Sequence, residues 1–123
     1  MANERTSSAR KEYATVDENP GSDGYFTNEV DIRHLAKTEK VGRIFFSIRE
    51  HVDDPSATSA STVVLQYKCD GDVVWSTYIP LDASTLAIGN RFAIADTGAG
   101  VKWRAGVLHD DYSAGAVTFG FDW

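Results

Sequence analysis

The sequence predicts an all-β protein, a single antiparallel β-sandwich of about seven strands preceded by an extended N-terminal arm. Three observations predict it. Several runs alternate large apolar with polar side chains at period two, the mark of a half-buried strand. No convincing long run carries apolar residues at helical spacing. Short polar connections, several bearing glycine, separate the runs, a pattern that favours a sandwich over a barrel.

Residues 1–24 stand apart. They are rich in Ser, Asn, Asp, Glu and Gly, and beyond Met1 only Tyr13 and Val16 are sizeable apolar groups. Such a stretch cannot bury enough surface to offset an ordering entropy of about 1–2 kcal/mol per residue. It is therefore expected to be an arm clamped by a neighbouring subunit through Tyr13 and Val16. Asn19-Pro20-Gly21-Ser22-Asp23-Gly24 marks the boundary with a domain over 25–123.

Residues 25–36 read either as a strand, from Val30 and Ile32, or as a short helical turn. In 41–50, Ile44, Phe46 and Ile48 share one face, while Phe45 opposes them and is a candidate for a subunit interface. Residues 51–61 read as a long polar loop. Val63, Leu65, Tyr67 and Cys69 then alternate inward, which makes Cys69 a buried, inert thiol. Asp70-Gly71-Asp72 joins this run to Val73-Val74-Trp75-Ser76-Thr77-Tyr78-Ile79 as a hairpin, because Gly71 can adopt the positive φ of a tight turn. After a loop at 80–84, one or two short strands are expected around Phe92 and Ile94. Thr97-Gly98-Ala99-Gly100 turns the chain into 101–108, where Val101, Trp103, Ala105 and Val107 face inward. The last run, Val117-Thr118-Phe119-Gly120-Phe121-Asp122-Trp123, places Val117, Phe119, Phe121 and Trp123 on one face. Burying those side chains is worth at most roughly 6–12 kcal/mol, comparable with the net stability of a domain.

A chain of 123 residues with 42% apolar content is one globular domain with a core of its own. Lys and Arg number 12 against 18 Asp and Glu, a net charge of −6 that argues against nucleic-acid binding. No apolar run reaches the roughly 18 residues of a membrane span, and the first residues lack a signal-peptide core, so synthesis in a cytoplasm is expected.

The residues that carry chemistry elsewhere do not converge here. His34, His51 and His109 lie in separate segments without metal-ligand spacing, and Cys69 is the single cysteine. His109-Asp110-Asp111 near Ser113 resembles a triad only in composition, since no nucleophile elbow is present. Asp53-Asp54, Asp70/Asp72 and Asp110-Asp111 fall in turns without the spacing of a calcium loop. No catalytic residue, metal or cofactor is expected. Trp103 and Trp123 belong to the core. Trp75 and Tyr78 lie on opposite faces of their run, so at least one is available to a partner, and Arg104 is an outward interface anchor beside Trp103.

Two stretches carry a resemblance. One is the run Val63-Val64-Leu65-Gln66-Tyr67-Lys68-Cys69-Asp70-Gly71-Asp72-Val73-Val74-Trp75-Ser76-Thr77-Tyr78. The other spans Gly100-Val101-Lys102-Trp103-Arg104-Ala105-Gly106-Val107 and Tyr112 through Trp123. Together they resemble small β-sandwich virion proteins of tailed bacteriophages over residues 62–123. The resemblance implies a non-enzymatic structural protein of the virion, a capsid decoration or head-associated protein, forming homo-oligomers or contacting the major capsid protein or other virion subunits, with no nucleic acid or membrane partner. The arm and the sheet surface would dock, with Tyr13, Val16, Phe45, Trp75, Tyr78 and Arg104 as partner-binding residues. The alternative is a carbohydrate-binding β-sandwich on a phage fibre or particle surface, stacking sugar rings on Trp75 or Tyr78.

Overall fold

The computed structural model describes residues 3–8, 10–31, 43–52, 61–82, 91–95, 101–113 and 115–123. Among them are ten strands: β1 Glu4–Ser8, β2 Lys11–Val16, β3 Tyr25–Phe26, β4 Val30–Asp31, β5 Arg43–Val52, β6 Thr62–Cys69, β7 Ser76–Asp82, β8 Arg91–Ala95, β9 Val101–Val107 and β10 Ala116–Asp122. They form two antiparallel sheets in the order β1-β2-β10-β5-β8 and β3-β9-β6-β7, with β4 also pairing β9. The protein is an all-β sandwich, with more strands than the seven expected. His34, Asp53-Asp54 and the turn at 97–100 lie outside the described residues.

The core forms where the alternating runs meet. Ile44, Phe46 and Ile48 of β5 and Val117, Phe119 and Phe121 of β10 face Val63 and Leu65 of β6 and Trp103, Ala105 and Val107 of β9. Trp123 is partly buried against this cluster, with its ring centroid 5.7 Å from that of Phe121. The inward assignment of the last run therefore holds.

The first 24 residues differ from the expected arm. β1 and β2 are a hairpin, and β2 pairs with β10 from Val16↔Val117 to Lys11↔Asp122. Val16 and Ala14 are fully buried in the core, so Val16 is a packing residue and not a partner contact. Strand β2 does alternate, but its inward residues are Glu12, Ala14 and Val16, and a carboxylate and a methyl hide the period. What holds the segment is main-chain pairing along β10, a contribution that apolar content does not report.

Side-chain hydrogen bonds finish the closure. Asn28 donates to the Ser7 hydroxyl, and Ser7 donates to the buried Glu12 carboxylate at 2.9 Å, tying the first hairpin to the opposite sheet. Asn19 and Asp110 exchange two bonds of 3.0 and 3.1 Å, and the Tyr112 hydroxyl sits 2.9 Å from the Asp17 carbonyl. The stretch after β2 is thus laid on the connection before β10. His109 is part of it, its Nδ1 donating to the Pro20 carbonyl at 2.7 Å.

Two glycines mark close approaches. Gly120 of β10 stands opposite Tyr13, and a Cβ there would meet the Glu12 carbonyl at 2.0 Å and the Tyr13 ring at 2.5 Å. Gly106 of β9 stands opposite Phe26, and a Cβ there would meet that ring at 2.1 Å. In each sheet an aromatic ring lies over an outward glycine of its neighbour.

Candidate functional site

The outer face of the second sheet carries the most ordered set of polar and aromatic side chains among the described residues. On β9 the outward positions are Lys102, Arg104 and Gly106. On β6 they are Val64, Gln66 and Lys68, with Gln66 directly opposite Arg104 and Lys68 directly opposite Lys102.

Two bulges shape this face at the level of Arg104. Between β6 and β7 the register passes from Leu65↔Ile79 to Gln66↔Thr77, so Tyr78 is the extra residue. Thr77 is thereby set beside Gln66, while Tyr78 swings to the inner side and packs its ring 5.5 Å from Trp103 and 6.2 Å from Tyr67. On the other side of β9 the register passes from Phe26↔Gly106 to Val30↔Trp103, again with one residue to spare. Thr27 fills the gap: its amide donates to the Ala105 carbonyl at 2.8 Å, and its hydroxyl accepts from the Ala105 amide at 3.1 Å.

Arg104 is held from several directions. Its Nε and Nη2 both donate to Oε1 of Gln66, at 3.0 and 2.9 Å. The buried Gln66 in turn donates from Nε2 to the Thr77 hydroxyl at 3.3 Å, which fixes the orientation of its amide. The guanidinium carbon lies 3.7 Å from the centroid of the Phe26 ring and 4.3 Å from that of Trp75. Each such contact is worth about 0.5–2 kcal/mol, increasing with desolvation. Burial lowers the pKa of Arg104 from its ordinary value, and the nearby Glu29 carboxylate opposes that shift. Glu29 itself sits 3.6 Å from Nζ of Lys102.

Beside the guanidinium opens a polar cleft of about 410 Å³ lined by Arg104, Arg5, Asp23, Tyr25, Asn28 and Glu29 among others. Arg5 reaches it from β1, 5.7 Å from the Tyr25 ring. The cleft is therefore built by both sheets.

The connection from β6 to β7 overhangs the same face. It is a six-residue excursion, 70–75, where the sequence suggested a three-residue turn. Gly71 takes φ 88°, the Asp72 carboxylate accepts from the Cys69 amide at 2.9 Å, and the Asp72 amide donates to the Cys69 carbonyl at 3.0 Å. Asp72 is thus engaged in making the turn. Val73 and Val74 are not strand residues; they stand 89% and 71% exposed at the tip. Trp75 folds back over Arg104, with the Lys68 ammonium 5.7 Å from its ring. Cys69, expected inside, is exposed, because the sheet runs past the end of the core there.

Of the residues singled out from sequence, the fold brings Trp75 and Arg104 together. Tyr78 is 51% exposed but belongs to the inner side of the sheet. Tyr13 and Phe45 lie on the outer face of the other sheet, both partly buried, with the Tyr13 hydroxyl bonded to Asp122. Phe26, Gln66, Thr77 and the tip valines were missed. The one signal available was Gly106, since a glycine inside a strand announces that something lies close above it.

Comparison with protein-family models, with curated proteins and with solved structures finds no match to this chain.

Proposed function

We propose that this chain is a structural protein of a tailed-bacteriophage virion, a capsid decoration or head-associated protein without enzymatic activity. It docks on neighbouring virion subunits through the outer face of its second sheet and the β6–β7 tip. The observation that carries the docking surface is the pair Val73 and Val74, held out in water on a turn braced by Asp72 and by Trp75. Exposed apolar side chains on a pre-shaped turn give up little conformational freedom on binding, so their burial is converted efficiently into affinity. The resemblance over residues 62–123 supplies the virion context, where many adjacent copies multiply a weak single contact.

The N-terminal segment does not dock as a free arm, because β1 and β2 are committed to the first sheet; it meets the docking face only through Arg5 at the cleft. Sugar stacking on Trp75 or Tyr78 is the second reading, and no single platform joins the two residues. The two rings sit on opposite sides of the sheet, and Trp75 already covers Arg104.

The test is the composition of gradient-purified particles from a lysate in which the chain is expressed by its phage. Its presence at a fixed stoichiometry, with loss of attachment in Val73→Asp/Val74→Asp, is the expected result. Absence from the particles would overturn the proposal.

A further inference from the structure

The two sheets treat their open edges differently. In the second sheet, β7 carries Pro80, which has no amide to offer, and a bulge at Tyr78. The opposite edge of that sheet is divided into β3 and β4, two residues each, interrupted at Thr27. Strand β1, at one end of the first sheet, has none of these devices. It runs for five residues in unbroken register with β2, contains no proline and is exposed throughout. Such an edge is a template for a further strand.

Which main-chain groups of β1 are open follows from the pairing on the far side of β2. The Trp123 amide donates to the Arg10 carbonyl, so by alternation Glu12, Ala14 and Val16 spend their main-chain bonds on β10. Lys11, Tyr13 and Thr15 then spend theirs on Ser8, Thr6 and Glu4. The amides and carbonyls of Arg5 and Ser7 are left pointing away from the sheet. That pattern is self-complementary. A second β1, antiparallel and related by a two-fold axis at Thr6, sets Arg5 of each copy opposite Ser7 of the other and pairs every open group. Moving the axis to Arg5 would oppose like charges. Moving it to Ser7 would carry Arg5 past the end of the other strand.

We propose that the chain forms a two-fold dimer through β1, which joins the first sheets of two copies into one continuous sheet. A second copy is the occupant because its side chains supply what this edge lacks. Glu12 is buried and accepts from Ser7, and among the described residues no cation lies within ion-pair distance of its carboxylate. In the joined sheet Ser7 stands between Glu12 and Arg5 of the second copy, which are two strand spacings apart, about 10 Å. An arginine and a glutamate side chain together bridge that distance over a serine. On the other face, Glu4 comes opposite Ser8 of the second copy, and beyond Ser8 lies Lys11 with Asp122 on its far side. Lys11 thereby sits between two carboxylates. The two Arg5 side chains fall on a diagonal, roughly 7–8 Å apart, and each keeps the Tyr25 ring of its own copy within reach. The pairing uses no residue of the β6–β7 tip and does not depend on the virion reading.

The test is sedimentation equilibrium of the full chain at about 0.15 M salt, where a Debye length of ~8 Å screens the net charge of −6 on each copy. A concentration-dependent dimer is expected. In it, hydrogen exchange slows at the Arg5 and Ser7 amides, while the Thr6 amide is protected in the monomer already. Register is read in a Cys69→Ser background. Thr6→Cys faces its own copy across the axis, in a pair with Cα atoms about 4.5 Å apart, and should oxidise to a disulfide-linked dimer. Ser8→Cys faces Glu4 instead and should not. Arg5→Pro removes an open donor without touching a bond to β2, and should abolish the dimer while keeping a cooperative melt. Arg5→Ala should loosen the dimer a few fold, the weight of a partly exposed ion pair. Should Arg5→Pro fail to fold, the two cysteine variants and Arg5→Ala carry the test. A monomer at millimolar concentration would overturn the proposal and leave the edge to a strand of another protein. So would a dimer that persists in Arg5→Pro, one indifferent to Arg5→Ala, or one that cross-links through Ser8→Cys and not through Thr6→Cys.

Discussion

Tyr13 and Gly120 face each other across β2 and β10, and the tyrosine ring occupies the space that a side chain on Gly120 would need. Phe26 and Gly106 repeat the arrangement in the other sheet. The two pairs make different predictions. A methyl on Gly120 collides with the Glu12 carbonyl as well as with the ring, and main chain cannot step aside without breaking the pairing. Gly120→Ala should cost at least about 1–3 kcal/mol, the usual range for overpacking, and thermal denaturation would measure it.

A methyl on Gly106 meets the Phe26 ring and the Tyr25 carbonyl. Displacing Phe26 removes one of the two rings that hold the guanidinium. Gly106→Ala should therefore lower stability and also broaden the Arg104 side-chain resonance, whereas Gly120→Ala should leave that resonance unchanged.

The Arg104–Gln66 pair lends itself to a double-mutant cycle. Arg104→Met leaves Oε1 of Gln66 buried without its donors, and Gln66→Leu leaves a partly desolvated guanidinium without its acceptor. Each single change should cost about 1–3 kcal/mol, the penalty for a stranded buried polar group. The double change removes both groups and should cost less than either single one. Denaturant titration of the four proteins would check the sign of the coupling.

Removing residues 1–24 tests the most consequential departure from the sequence expectation. An arm could be cut away from an intact domain. A hairpin whose inner strand covers β10 and contributes Ala14 and Val16 to the core cannot. The truncated chain should be insoluble or lose its cooperative melt, and a soluble, cooperatively melting product would contradict the pairing of β2 with β10. Removal of 119–123 should have the same outcome, since it takes Phe119, Phe121 and the partner strand of both β2 and β5.

The sandwich was legible because Ile44, Phe46, Ile48, Val63, Leu65, Trp103, Val107, Val117, Phe119 and Phe121 are large and recur at period two. Strand β2 was not, because Ala14 is small and Glu12 faces inward, closing its charge with the Ser7 hydroxyl. The site was half visible. Arg104 and Trp75 could be named as outward residues, yet nothing local says they meet. Their contact depends on a six-residue turn that folds back and on two bulges, each a matter of register between distant strands. Cys69 was misplaced for a related reason: alternation assigns a face, but not where along the strand the opposing sheet stops.

The confrontation of Lys68 with Lys102 gives the molecule a double response to ionic strength. Dissolved ions dampen the repulsion between the two ammonium groups, so added salt should raise the melting temperature of the isolated chain. The same ions compete for the cations that a partner would use, and the screening distance shrinks to about 10 Å at 0.1 M. Concentrated brine should thus yield a sturdier protein with a weaker electrostatic hold on any partner, and dilution should restore that hold.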